Sequence, residues 1–402
     1  MAISAEQLKT IATESIDKQE SDLLSVNRQI LNHPELKDEE FKAHQFLTDF
    51  FENAGFNVDR SFTLPTAFRA VYSKSNQGPK VCVICEYDAL PGIGHACGHN
   101  LIAEAGVAAA LGIKAAMEAA NQNIGQLIVY GTPAEEGGGG KIKMIHNGCF
   151  HDIDFAMMVH PFPFDATYGN LICMQRIIVI YQGKSSHAAA FPWEGVNALD
   201  AAVHAYSSLS LMRQQMKSGW KIHGIIVDGG TMPNIIPATS KLDYFIRTPL
   251  LRDMQELQEK CEGCFRGAAE ATGCTVDIVY DRIEGDYYEN VVTNPDMADL
   301  YEKNVATLGV VMPSRAEQLT FPIGSTDMGN VSHVVPTIHP MFAIDTAAAN
   351  HTPEFTRASS TLHAHRQTII AGKSMAMTAI DILMDPKKLE SIKSKFKDQV
   401  SS

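Results

Sequence analysis

Cys85-Glu-Tyr-Asp-Ala-Leu-Pro-Gly-Ile-Gly-His-Ala-Cys-Gly-His-Asn100 is the stretch around which the rest of the 402-residue chain is read. The apolar residues 81–85 lead into it and the Ala-rich residues 101–120 leave it. A short, continuous run of β-type residues predicts a strand buried on both faces, as in a parallel or mixed sheet. The Ala-rich run predicts a helix, with Asn100 as its N-cap. Between the two lie Glu86, Asp88, His95, Cys97 and His99. Carboxylates at a strand end, a Gly/Pro turn bearing His and Cys, and then a helix start make a pattern suited to a metal site on an α/β sheet.

Two further apolar runs end in the same way. Residues 127–131 run into Thr132-Pro-Ala-Glu-Glu-Gly-Gly-Gly-Gly140, and residues 155–159 stop at His160-Pro161. Ligands gathered at the carboxyl ends of successive strands are the rule for wound α/β sheets. Upstream, residues 5–32 read as one amphipathic helix and 37–54 as a second. From about residue 171 the pattern changes to strand 171–183, helix 197–212, strands 223–228 and 241–247, helix 253–271 and strand 274–280. That β-α-β-β-α-β order is ferredoxin-like. Beyond residue 290 the first pattern resumes, with a strand at 337–344, a helix at 361–383 and a charged tail, 387–397, expected to be solvated. The fold class expected is therefore α/β: a wound mixed-sheet domain, 1–170 and 290–402, with a ferredoxin-like domain, 171–289, inserted into it.

Composition bounds the function. Apolar residues make up 45% and charged residues 20%, as in a soluble globular protein. A formal net charge of −13 argues against a nucleic-acid partner, which would require a basic face. The N-terminus lacks a basic segment followed by an apolar one, and no apolar run approaches a membrane span, so no membrane partner and a cytoplasmic location are expected. Eight cysteines scattered through a long chain suggest free thiols. Cys261 and Cys264 form a lone C-x-x-C inside a helical pattern and read as two residues of one helix face rather than a zinc site.

A centre that hydrolyses an amide needs deprotonated N, O or S ligands and a base beside them. The candidates are Cys97, His99, Glu136, His160 and His351. Cys97 and His99 stand two apart on a turn, where both reach one centre and the thiolate can bridge two ions. Glu135 and Glu136 are adjacent at a strand end, and burying both uncompensated is costly. A cation explains them, one binding it and the other taking a proton from water. In the second domain, His187 has the chemistry to donate to a developing oxyanion, and Arg247 to clamp a carboxylate. Taken singly, each residue also has a structural reading: a small buried thiol, exposed loop acids, a loop histidine, a solvated edge arginine.

Asp88-Ala-Leu-Pro, His95-Ala-Cys-Gly-His99, Pro133-Ala-Glu-Glu-Gly-Gly-Gly-Gly, His160-Pro, Ser185-Ser-His-Ala, Pro233-Asn-Ile-Ile-Pro and Asn350-His-Thr occur in that order along the whole chain. The set resembles the aminoacylase/carboxypeptidase superfamily of two-metal peptidases. Within it the set is similar to the amidohydrolase branch that includes hippurate hydrolase and plant auxin-conjugate hydrolases. The resemblance implies that Cys97, His99, Glu136, His160 and His351 bind two divalent ions per subunit, zinc or manganese. It implies Glu135 as general base and proton donor to the leaving amine, Asp88 as the support of a ligand, and His95 as a neighbour that does not ligate. His187 would stabilise the oxyanion from the other subunit of a homodimer formed by the inserted dimerisation/lid domain. Asn234 and Arg247 would lie near the substrate's carboxylate. The substrate class implied is a dipeptide or N-acyl amino acid, with dipeptides ending in Lys or Arg favoured. One departure stands out: the branch usually reads Gly-Ser-Glu-Asp-Phe where this chain has Gly324-Ser-Thr-Asp-Met328, so the role of Asp327 is left open. The rival readings are an amide-forming enzyme or an amidohydrolase of a specialised metabolite, and a non-catalytic binding protein on the same fold.

Overall fold

The computed structural model describes residues 3–322 and 324–401. In chain order the elements are α1 (Ala5–Lys18), α2 (Glu20–Asn32), α3 (Phe41–Asn53), β1 (Asn57–Arg60), β2 (Phe68–Ser73), β3 (Lys80–Glu86), α4 (His99–Ala119), β4 (Gln126–Thr132), α5 (Glu135–Gly138), α6 (Gly140–His146), β5 (Phe155–Met157) and β6 (His160–Phe162). There follow β7 (Cys173–Gln182), α7 (Ala198–Met212), β8 (Lys221–Asp228), β9 (Thr239–Thr248), α8 (Met254–Thr272) and β10 (Thr275–Asp281). The chain closes with α9 (Pro295–Thr307), α10 (Arg315–Gln318), α11 (Met328–Val334), β11 (Thr337–Ile338), β12 (Met341–Ala343), α12 (Pro353–Ser359), α13 (Leu362–Leu383) and α14 (Pro386–Val400).

Two compact units result, one of Met1–Asn170, Val291–Ile323 and Asp327–Ser402, the other of Leu171–Asn290 and Gly324–Thr326. Asn290 and Gly324–Thr326 thus group with the inserted unit, although the sequence alone assigns them to the flanking domain.

The larger unit is built on a six-stranded mixed sheet ordered β1-β2-β4-β3-β5-β11. Its centre, β4-β3-β5-β11, is parallel, and β1 and β2 add antiparallel to one edge. β3 and β4 are buried along nearly their whole length, which is why they read as unbroken apolar runs. Against the sheet lies α4, covered in turn by α1, α2 and α13. α4 is long and apolar enough to cross a bilayer by length and composition, contrary to the expectation that no run comes near that limit; 89% of its apolar window is buried inside the fold. Its alanines let neighbouring helices approach closely.

Several boundaries differ from those expected. Residues 5–32 form two helices, because the backbone turns at Gln19 (φ −108°, ψ 14°). Asn100 does not cap α4. The cap is Gly98, and Asn100 sits in the first turn, where its amide donates to Asn27 Oδ1 at 2.9 Å. The strand expected at 337–344 is broken at His339-Pro340, so that β11 pairs with β5 and β12 with β6. The charged tail is helical: Asp385 caps α14, and Ile392 is fully buried.

The inserted unit is a four-stranded antiparallel sheet ordered β10-β7-β9-β8. β7 and β9 alternate buried and half-exposed residues, and α7 and α8 pack on the buried face. β8 is an edge strand, on which Ile225 and Val227 remain exposed.

Candidate metal centre

The centre lies wholly within the larger unit. Because β4, β3 and β5 run parallel and adjacent, their carboxyl ends open onto one edge of the sheet. Glu86 ends β3 in register with Thr132, which ends β4 two residues before the loop that carries Glu135 and Glu136. His160 opens β6 just past β5. The Cys97-Gly98-His99 turn requires its glycine: φ is +79°, and a Cβ there would lie 2.5 Å from Pro161 Cγ. Left-handed backbone recurs around the centre, at Ala134 (φ 58°) and at His351 (φ 66°), where nothing relieves the Cβ crowding. Such strain persists only where surrounding structure imposes it. At His351 the backbone N–H donates to Ala96 O at 2.9 Å, and the Asn350 amide donates to Pro161 O at 3.2 Å. These bonds tie the distant 350–351 loop to both the Cys97 turn and His160.

The side chains form three three-membered groups, each with its donor atoms within 4.8 Å of one another: Glu86/His99/Glu135, and the pair Cys97/His99/His160 and Cys97/Glu136/His351. Cys97 belongs to both members of the pair. Its Sγ lies 3.5 Å from His160 Nε2. Glu136 Oε1 lies 3.2 Å from His351 Nε2 and 3.9 Å from His99 Nε2. Asp88 supports both groups: its Oδ1 is 3.0 Å from His99 Nδ1, and its Oδ2 accepts from the Glu136 backbone N–H at 2.9 Å. The contact to Asp88 places the ring proton of His99 on Nδ1, and His160 Nδ1, 2.9 Å from Pro161 O, is fixed likewise. With Nδ1 of each ring so committed, Nε2 is the nitrogen that each neutral ring would present to an ion, the arrangement a ligating imidazole requires.

Electrostatically the pocket holds more carboxylates than cations. Burial opposes charge on His99, yet Glu86 and Asp88 beside it carry its pKa well above the usual value. Burial, then His339 and His99, push His160 well below. Glu135 is raised well above the carboxylate range by burial and by Glu86, Glu136 and Asp327. Burial also raises the Cys97 thiol.

Three buried atoms test whether cations fit: His99 Nε2, Glu86 Oε1 and Glu136 Oε1 make no hydrogen bond. Stranding lone pairs in this way is costly unless something else fills them. A thiol, three imidazoles and a carboxylate in two groups that share one sulfur suit a pair of borderline or soft divalent ions. Cys97, His99 and His160 would hold one ion, and Cys97, Glu136 and His351 the other.

His95 stands apart: its Nε2 is 3.0 Å from Ile30 O, and burial lowers it to about 4. In the inserted unit, His187 is exposed and its Nδ1 accepts from Ala189 N–H (3.3 Å) and Ala190 N–H (3.1 Å), which places the ring proton on Nε2. Asn234 is exposed in the loop after β8, and its carbonyl accepts from Ala188 N–H, beside His187. Arg247 is half-buried on β9; burial lowers its pKa, and it donates to Ser325 Oγ at 2.9 Å. Two residues absent from the expected set also face the centre. Glu86 Oε1 is 3.1 Å from His99 Nε2, and Lys141, fully buried, reaches Glu86 and Asp327. Glu86 was visible as a strand-end carboxylate. Lys141 gave no signal beyond its place at a helix start.

Residues 175–272, the inserted unit, match the family model of the peptidase dimerisation domain. The Xaa-Arg dipeptidase of Mus musculus is 50% identical over 407 residues, covering 98% of this chain and 94% of its own. That of Homo sapiens is 46% identical over 406 residues, covering 98% and 92%. Among solved structures, a dinuclear metal-binding peptidase of the M20 family from Bacillus subtilis superposes with a TM-score of 0.71 at 18% identity, covering 92% of this chain and 99% of that one. The aminobenzoyl-glutamate utilization protein of Klebsiella pneumoniae gives 0.68 at 18% identity, covering 92% and 97%. Fold, donor groups and relatives together define a metal-dependent hydrolase of the peptidase and amidohydrolase class. More narrowly, the chain belongs to the M20 peptidase family, in which the Xaa-Arg dipeptidases are its relatives at about half identity.

Proposed function

We propose that the protein hydrolyses the amide bond of small dipeptides whose C-terminal residue is Lys or Arg. The observation that carries this reading is the pair of donor groups sharing Cys97, with Glu135 buried beside them. The names of the mammalian relatives support the choice of substrate. Two divalent cations, when bound, would supply Lewis acidity at the scissile carbonyl and acidify water. The thiolate and imidazole donors favour zinc, with manganese as the alternative.

Glu135 takes the proton of the attacking water and returns it to the leaving amine nitrogen. Asp88 holds His99 and the Glu136 backbone in place. His187, with its proton on Nε2 and its ring exposed, donates to the oxyanion. Arg247, which has no carboxylate partner among the described residues, takes the substrate carboxylate, with Asn234 nearby in function. The inserted unit pairs two chains into a homodimer, through which His187 is supplied. Support for this comes from the matched dimerisation model and from the exposed apolar residues of edge strand β8 and of α7, Val203, Tyr206 and Leu211. A cytoplasmic location fits eight free cysteines.

The test is a panel of Xaa-Lys and Xaa-Arg dipeptides and N-acyl amino acids, incubated with the zinc- or manganese-loaded protein and assayed for released amine. Turnover of the basic dipeptides is expected. In Glu135→Gln it should fall by about 10²–10⁴-fold or more while metal content is unchanged. Metal-loaded protein inert on every amide, or a fully active Glu135→Gln, would overturn the reading.

A further inference from the structure

Lys141 has no part in the proposed reaction, yet its ammonium is completely buried. It donates to Glu86 Oε2 at 2.6 Å and to Asp327 Oδ1 at 2.8 Å, and its own backbone N–H donates to Asp327 Oδ2 at 2.9 Å. One residue thereby fastens three segments: the end of β3, the start of α6 behind the Glu135–Glu136 loop, and the turn before α11. Gly140 makes this closure possible, since a Cβ there would lie 1.8 Å from Pro133 O. With Oε2 committed to Lys141, the other Glu86 oxygen has no hydrogen bond and lies 3.1 Å from His99 Nε2. His99 is therefore flanked on both sides, hydrogen-bonded to Asp88 at Nδ1 and faced by the Glu86 carboxylate at the Nε2 edge.

We propose that Lys141 and Glu86 are positioning residues for one of the two metal sites, the Cys97/His99/His160 group: Lys141 aims Glu86, and Glu86 sets a negative charge beside His99 Nε2, where that group would hold its cation. The inference rests on the metal-centre reading above. It assigns a role to Asp327, which anchors Lys141 through both its ammonium and its backbone N–H.

Two variants test it. Glu86→Gln leaves Lys141 paired with Asp327 but presents an amide N–H₂ to His99 Nε2, capping the lone pair. The combination Lys141→Met, Glu86→Gln and Asp327→Asn removes every charge of the cluster at once, which buried ion clusters often tolerate. Apo protein is titrated with zinc alone against a chromophoric chelator, and its melting midpoint is recorded. The expected result is that one of two zinc-binding steps weakens by about 10–100-fold in both variants, the size of effect usual for groups that orient ligands. The other step and the apo melting midpoint stay as in wild type. Equal zinc affinities at both steps in a folded variant would overturn the proposal, as would parallel weakening of both steps or failure of both variants to fold, which would make the cluster a core ion pair only. Wild-type protein that takes up no zinc would instead refute the metal-centre reading itself.

Discussion

Asp88→Asn is the most informative perturbation of the centre. Asp88 is 1% exposed and accepts two hydrogen bonds, from His99 Nδ1–H at 3.0 Å and from Glu136 N–H at 2.9 Å. Asparagine is nearly isosteric but keeps a single oxygen. If that oxygen stays with Glu136 N–H, the new amide donor faces the Nδ1–H donor of His99. The ring then loses its partner or moves its proton to Nε2, which destroys the ligand. If the amide flips, Glu136 N–H is orphaned and the loop carrying both glutamates shifts. Either way one charge-assisted bond is lost in a place no water can reach, at about 1.5–3 kcal/mol. At about 1.4 kcal/mol per decade, that is roughly a 10–100-fold loss of metal affinity. Competition with a chelator, with fluorescence or absorbance readout, measures it directly, and activity at saturating metal should recover in part. Wild-type metal affinity in Asp88→Asn would refute the account of how His99 is oriented.

Gly98→Ala should destabilise by about 2–5 kcal/mol, combining a left-handed alanine with the overpacking of a Cβ 2.5 Å from Pro161 Cγ; a melting curve reads it, and metal binding should fall in step. Ile225→Lys with Val227→Lys on edge strand β8 should leave metal content unchanged but yield monomers by light scattering, with loss of turnover. Glu104 is raised to about 7 by burial, and His365, paired with it, is also raised despite burial. Both folded-state values lie above the unfolded ones, so the folded protein holds protons that the unfolded chain releases. Stability from this pair is present in full below the unfolded carboxyl value and declines as pH rises toward and through about 7, with a slope of up to about 1.4 kcal/mol per pH unit for each proton. Glu104→Gln should flatten that slope in unfolding titrations across the same window; an unchanged slope would contradict it.

The central strands and the inserted β-α-β-β-α-β unit were legible because their signals are local. β3 and β4 are continuous apolar runs, and β7 alternates with period two. The five donor residues could be assembled from a strand-end pattern together with a family resemblance. What stayed hidden depends on tertiary closure. The break between β11 and β12 arises because the two halves join different sheets, which no local pattern announces. Asn100 has the chemistry of a cap, but in the fold its amide is drawn to Asn27 and Gly98 takes the cap position. Lys141 is a lysine at a helix start in sequence. Only the folded chain brings Glu86, from more than fifty residues upstream, and Asp327, from nearly two hundred downstream, to its ammonium.

Cys97 is a member of both donor groups, which gives the centre a single point of failure. If Cys97 ligates both ions as proposed, oxidation of that one sulfur beyond the thiol would strip a donor from each at once, so loss of the pair would be concerted and not stepwise. Cys97 is 9% exposed, and without metal burial keeps it as the thiol, the form least reactive toward peroxide. The fold therefore shelters its most consequential atom by denying it both access and ionisation until a cation arrives.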